Sequence, residues 1–226
     1  KNLKQQPMRR LILALSLACI VLSFSAQAQF STYYYQRATH FEQLTINSND
    51  IVFLGNSITD GCEWAELFGM PNVKNRGISG DTTPGILNRL STITDGKPAK
   101  IFLLIGINDF SRDIPTDTIV ANIHQIVKRI KAESPSTRLY LQSILPVNDC
   151  YNMFGGHTKH IKDIPVANEQ LKKIAIQEKI TFIDLYSTFA LPNEPKLRPE
   201  LSNDGLHMLG KSYNLWRDLI LPYVEE

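Results

Sequence analysis

No glycine-rich phosphate loop, no dinucleotide fingerprint and no cluster of basic residues occurs in this 226-residue sequence. The first two absences leave no reason to expect a nucleotide cofactor. The third argues against a nucleic-acid partner, because binding a phosphate backbone by counterion release needs a concentrated basic face. Cysteine is scarce, at three residues, which excludes a disulfide scaffold. Repeats, low-complexity tracts and linker-like stretches are also missing, and a chain of this length supports one domain with a sizeable core. His157-Thr158-Lys159-His160 is the nearest approach to a metal motif. Without matching cysteine or carboxylate ligands it reads as a polar loop, and no metal or other cofactor is expected.

The net charge of +2 comes from one place. Lys1, Lys4, Arg9 and Arg10 precede the apolar run 11–24, and without them 20 basic residues face 22 acidic ones. A run of that length spans about 21 Å as a helix, short of a hydrocarbon core of about 30 Å. Ala26 and Ala28 follow with A-x-A spacing. Basic, apolar and small-residue regions in this order predict a secretory signal over residues 1–28, with Met8 as the start and residues 1–7 as upstream sequence. The expected product is exported, periplasmic or extracellular, with no stable membrane insertion after cleavage. Cys62 and Cys150 would then sit in an oxidising compartment, where a bridge and two buried free thiols are both open readings.

From residue 29 to 226 the pattern alternates. Ile51–Leu54, Val73–Asn75, Ile101–Ile105, Leu139–Leu145 and Thr181–Leu185 read as strands, the first, third and fourth nearly continuous in apolar residues, as strands buried on both faces should be. Between them lie helical stripes. One is Ile119, Ile123, Ile126, Val127 and Ile130; another is Ile86, Leu87, Leu90 and Ile93 behind Pro84. Leu171, Ile174 and Ala175 mark a third, and Tyr213, Trp216, Leu219 and Ile220 mark a last helix ended by Pro222. The expectation is a single α/β domain: a three-layer α/β/α flavodoxin-like fold with a five-stranded parallel sheet in the order 2-1-3-4-5. Ligands in such folds bind beyond the carboxyl ends of the strands, so the loops there are where chemistry belongs.

Those loops carry Gly55-Asn56-Ser57, Ser79-Gly80-Asp81-Thr82, Gly106-Ile107-Asn108-Asp109 and, before the last helix, Asp204-Gly205-Leu206-His207. A serine hydroxyl is a weak nucleophile that needs a base, and Ser57 is expected at the start of a helix carrying Trp64 and Leu67. His207 has Asp204 three residues earlier, close enough to orient the imidazole. Each residue also has a purely structural reading: Ser57 as an N-cap, Gly80 as a turn glycine, Asn108 as a turn or cap residue, Asp204 as a cap of the last helix. All four readings would have to coincide at the strand-end loops. Gly77-Ile78-Ser79-Gly80-Asp81 misses the G-x-S-x-G elbow at its last position. Tyr33-Tyr34-Tyr35 reads as an N-terminal segment packing on the core rather than as a sugar platform.

The four blocks resemble, in order, those of the SGNH/GDSL hydrolase superfamily, and they span Gly55 to His207, most of the chain. The departure is Asn56, where the family motif has Asp. The resemblance implies a serine esterase forming an acyl-enzyme, with Ser57, His207 and Asp204 catalytic and an oxyanion hole from the N–H groups of Ser57 and Gly80 and the Asn108 amide. Its platelet-activating-factor acetylhydrolase-like and carbohydrate-esterase branches are the most similar, which implies removal of short acyl groups, commonly acetyl, from an extracytoplasmic glycan. A lysophospholipase or thioesterase, and a non-catalytic glycan-binding module, are the alternatives. The loops 110–116 and 146–164 are expected as pocket walls, with Asp109, Phe110, Asn148 and Tyr151 facing the ester substrate. The oligomeric state is left open.

Overall fold

The strands form where apolar residues can be covered from both sides. In the computed structural model, which describes residues 30–226, five parallel strands pair in the order β2-β1-β3-β4-β5. They are β1 (Ile51–Gly55), β2 (Val73–Gly77), β3 (Lys100–Leu104), β4 (Arg138–Gln142) and β5 (Thr181–Ile183). This is the expected 2-1-3-4-5 sheet in a three-layer α/β/α fold. Every residue of β1 and β3 is buried, as central strands between two helical layers require. Residues 32–226 form one compact unit. The expected secretory signal lies outside the described residues.

On one face the helix Thr116–Glu133 turns Ile119, Ile123, Ile126, Val127 and Ile130 inward and packs beside the helices Thr83–Arg89 and Asp163–Glu178. Elsewhere, register builds an aromatic ladder. It places Phe53 opposite Phe102 and Phe102 opposite Tyr140, whose rings stack at 5.0 and 4.5 Å. Trp64 lies on Phe53 at 4.1 Å, and Trp216 meets Trp64 edge-on at 5.0 Å. Such pairs add about 0.5–1.5 kcal/mol each beyond burial. The Trp64–Phe68 and Gly210–Glu225 helices are joined through these rings.

Some expected boundaries move. The fourth strand stops at Gln142 instead of Leu145, because Asn168 takes the Ile144 N–H on Oδ1 (2.8 Å) and donates back to its carbonyl (2.9 Å), replacing a neighbouring strand. Ser57 opens a helix of only four residues, Ser57–Asp60, and Trp64 and Leu67 belong to a second one, Trp64–Phe68. The Ile86–Ile93 stripe is divided between Thr83–Arg89 and Ser91–Thr94. The last helix runs through Pro222 to Glu225. Proline there removes one N–H near the helix end, and Lys100 Nζ donates to the carbonyls of Tyr223, Val224 and Glu226, which secures the final turn. A short hairpin of β6 (Ala190–Leu191) and β7 (Glu194–Leu197) has no sequence signal that predicted it.

The aromatic N-terminal run becomes part of the helix Thr32–Glu42, with Tyr34 donating to the Gly85 carbonyl and Tyr33 to Asp60 Oδ2. Cys62 and Cys150 are not bridged: the first is buried, its thiol pushed up to about 12 by burial, and the second is exposed. Among the described residues no helix is long and apolar enough to cross a membrane.

Candidate active site

The turn out of β1 leaves Ser57 half-buried, between buried Asn56 and Ile58. Gly55 passes so close to the neighbouring backbone that a Cβ would lie 2.4 Å from the Leu104 carbonyl oxygen. Asn56 Oδ1 then accepts the Ile58 N–H (3.0 Å) and starts the helix. Ser57 is that helix's first residue, so its own N–H has no intrahelical acceptor.

His207 Nε2 lies 3.1 Å from Ser57 Oγ, across 150 residues of sequence. His207 Nδ1 lies 2.7 Å from Asp204 Oδ2. The carboxylate can only accept, so Nδ1 carries the proton and a neutral ring presents a bare Nε2 to the serine O–H. Asp204 Oδ1 accepts the N–H groups of Leu206 and His207, both at 2.8 Å, so the same side chain sets the local backbone and the ring. Burial alone would raise the Asp204 carboxyl. The donors from His207 and Leu206 outweigh it and hold the group below its usual value. These are the elements of a nucleophile, a base and an orienting carboxylate.

The second loop turns at Ile78-Ser79-Gly80-Asp81, closed by the Asp81 N–H on the Ile78 carbonyl (3.0 Å). Gly80, at the third position, has φ +79°, a conformation that favours glycine. The N–H at that position of a turn is not used within it and is free to point at a ligand. Asp60 Oδ2 braces the loop by accepting the Ser79 N–H (3.2 Å). Asn108 Nδ2 donates to the Asp81 carbonyl (2.8 Å), which brings the third loop against the second. Asp109 accepts the Thr83 N–H and hydroxyl, the latter at 2.6 Å, and ties the two a second time. Beneath them Arg89 holds Asp81 at 2.9 Å and donates to the Gly55 carbonyl at 3.1 Å.

The expected pocket wall needs correcting. Asp109 and Phe110 are each 1% exposed and Asn148 is 3% exposed. The Asp109 carboxylate is occupied by Thr83, the Phe110 ring packs on His160, and Asn148 donates to the Leu197 carbonyl while accepting the Cys150 N–H. Tyr151 directs its hydroxyl at the carbonyls of Pro199 and Ser202. Asp109, Phe110 and Asn148, buried in this way, brace loops, whereas Tyr151 is half-buried with only its hydroxyl committed. Beside His207 stands Phe154, edge-on to its ring at 5.2 Å, and His157 is in turn edge-on to Phe154 at 5.6 Å. Neither was singled out as a site residue. Their segment, a four-residue helix Gly155–Thr158, carries no amphipathic pattern that would have marked it. Among the described residues no group of three or more His, Cys, Asp or Glu is placed to hold a metal ion.

The geometry agrees with what the chain is similar to. The model of the GDSL-like lipase/acylhydrolase family matches residues 53–215. The alpha2 subunit of platelet-activating factor acetylhydrolase IB from Homo sapiens is 29% identical over 187 residues, 78% of this chain and 78% of that protein. The crystal structure of a GDSL-like lipase from Bacteroides thetaiotaomicron is 26% identical with a TM-score of 0.73, covering 85% of this chain and 97% of that one. An acetylxylan esterase from Geobacillus stearothermophilus, 20% identical with a TM-score of 0.62 over 80% of this chain and 96% of that one, shares the fold.

Proposed function

The chain belongs to the GDSL-like lipase/acylhydrolase family and is a carboxylic ester hydrolase with a serine-hydrolase mechanism, and from that premise we propose that Ser57, His207 and Asp204 carry the reaction and that the ester is a short acyl group, acetyl, on an extracytoplasmic glycan. The Ser57–His207–Asp204 chain of contacts at 3.1 and 2.7 Å is the observation that supports the assignment of roles. His207 takes the Ser57 proton as Oγ attacks the ester carbonyl carbon. Negative charge collects on the carbonyl oxygen, where the N–H groups of Ser57 and Gly80 and the Asn108 amide donate. The tetrahedral intermediate collapses, His207 protonates the departing alcohol, and Ser57 is left acylated. Water, deprotonated by His207, then releases the acid and restores the serine.

Two observations favour a small acyl group. Phe154 sets an aromatic ring edge-on to His207 at 5.2 Å, and the human relative is named for removing an acetyl group. Export is supported by the order of basic, apolar and small residues over 1–28. The test is a series of p-nitrophenyl esters from acetate to palmitate on the wild type and Ser57→Ala, followed by acetate release from an O-acetylated polysaccharide. Activity highest on acetate and abolished in the variant is expected. A maximum at C8 or longer would overturn the acetyl assignment, and equal rates in the two proteins would remove Ser57 from its role.

A further inference from the structure

His157 Nε2 lies 3.0 Å from Asn108 Oδ1. The orientation of the Asn108 amide is not ambiguous, because the Asp81 carbonyl on its other side can only accept and therefore receives Nδ2. The oxygen must then face His157, and an amide oxygen only accepts. His157 thus donates through Nε2–H, and the order of donation is His157 to Asn108 to Asp81. Asn108 is 6% exposed and has one N–H left over.

We propose that His157 is a positioning residue that fixes and polarises the Asn108 amide, so that its remaining N–H is aimed at the oxyanion before substrate arrives; the inference rests on the assignment of Asn108 to the oxyanion hole. An amide held at both ends cannot flip its oxygen toward the developing negative charge, an orientation that would repel it. Donation into the amide oxygen also strengthens the N–H donors of the same group, since hydrogen bonds in a chain polarise one another. Burial, with the fields of His207 and His160 added, holds the His157 imidazole below its usual value. At neutral pH the ring is therefore neutral, and it supplies a dipole without placing a second cation beside His207.

The segment that carries His157 is fastened for this task. Its helix is preceded by Phe154, whose carbonyl accepts the His157 N–H at 2.8 Å. Farther along, His160 reaches Asp163 at 2.7 Å and Asp113 at 3.2 Å, and Lys159 also pairs with Asp113. Asp113 follows the helix Ile107–Ser111, which contains Asn108, so the two loops are clasped on the solvent side as well.

The experiment is a double-mutant cycle read on p-nitrophenyl acetate, with His157→Ala, Asn108→Ala and both together. Asn108→Ala should lower kcat by about 10²–10³, as the loss of one oxyanion donor does. His157→Ala should lower kcat about 10-fold with KM within twofold, the size expected for one neutral hydrogen bond felt in the transition state. In the Asn108→Ala background the same change should cost less than about twofold, because His157 acts only through Asn108. His157→Gln, which keeps a donor on that side, should recover most of the lost rate. His157→Phe keeps the ring's volume without the donor and replaces the alanine variant if that one does not fold. Losses that multiply in the double variant, or a glutamine variant as slow as alanine, would overturn the proposal. A fully active Ser57→Ala protein would instead bring down the assignment of the triad, a separate outcome of the same assay.

Discussion

Asp204→Asn offers the sharpest test of how this site works, because the structure dictates which way the new amide must face. Asp204 Oδ1 accepts two backbone N–H groups, from Leu206 and His207, and Oδ2 accepts His207 Nδ1–H. Asparagine has only one acceptor oxygen. With that oxygen in the Oδ1 position both backbone donors stay satisfied, and the NH₂ points at His207. Reversed, it strands two N–H groups at about 1 kcal/mol each, so the first orientation is favoured by about 2 kcal/mol, or about 30-fold. His207 Nδ1 must then accept from the amide and lose its proton, which moves to Nε2. The ring now presents an N–H to Ser57 and no longer a lone pair. The fold should be intact and kcat should fall by about 10⁴, the size seen when a triad histidine is held in the wrong tautomer. Asp204→Ala imposes no tautomer and should lose less. Rates on p-nitrophenyl acetate, with thermal midpoints as the control for folding, decide it. An asparagine variant within 10-fold of wild type, or one faster than the alanine variant, would refute the reasoning.

Other substitutions probe the supports. Arg89→Leu leaves the buried Asp81 carboxylate without the partner at 2.9 Å that opposes the upward push of burial on it; stability should fall by about 3–5 kcal/mol in urea melts, and Asp81→Asn in the same chain should restore part of it, whereas an unchanged midpoint would count against a structural ion pair. Burial pushes the Asp109 carboxyl up to about 6 against the opposing donors from Thr83. An unfolded aspartate titrates near about 3.9, so the folded state keeps its proton longer. That contribution is complete below about pH 4 and lost as the pH rises through 6, a change of about 2–3 kcal/mol. Asp109→Asn should flatten the thermal midpoint between pH 4 and 7, and a slope equal to wild type would contradict this. Asn56→Asp keeps the acceptor that receives the Ile58 N–H and should retain kcat within about threefold, while Asn56→Ala should lose about 1 kcal/mol of stability with the cap; an inactive aspartate variant would give the amide a role that its geometry does not show.

The fold was legible because its signals are local. Short continuous apolar runs at Ile51–Leu54 and Ile101–Ile105 mark strands covered on both faces, within a residue of β1 and β3, and the Ile119–Ile130 stripe marks a helix with one buried side. Where the reading slipped, a distant group had replaced a local rule. Asn168 ends β4 from the helix Asp163–Glu178, and Lys100 steadies the final turn after Pro222 from the start of β3. Neither effect leaves a trace in the residues next to the boundary it moves.

The site divides along the same line. The residues to which the proposal gives chemistry sit in short loops, Ser57, Gly80 and Asn108 after strands and the Asp204–His207 pair before the last helix, so they could be found from type and position. Their neighbours were harder. Asp109 and Asn148 are polar loop residues beside the chemistry, which is also how ligand-facing side chains look in a sequence; what distinguishes them is that Thr83 and Leu197 have already taken their hydrogen-bonding groups. Asn56 carries the same lesson in reverse. Its Oδ1 is a helix cap, a task that an aspartate oxygen in the same place can also perform. His157 is the limiting case. As one of a pair spaced for a metal it invited a ligand reading, and its partner, Asn108, lies 49 residues away on another loop. Only when both loops close over the end of the sheet does a histidine with no local pattern meet the oxygen of an amide whose other end the Asp81 carbonyl already holds.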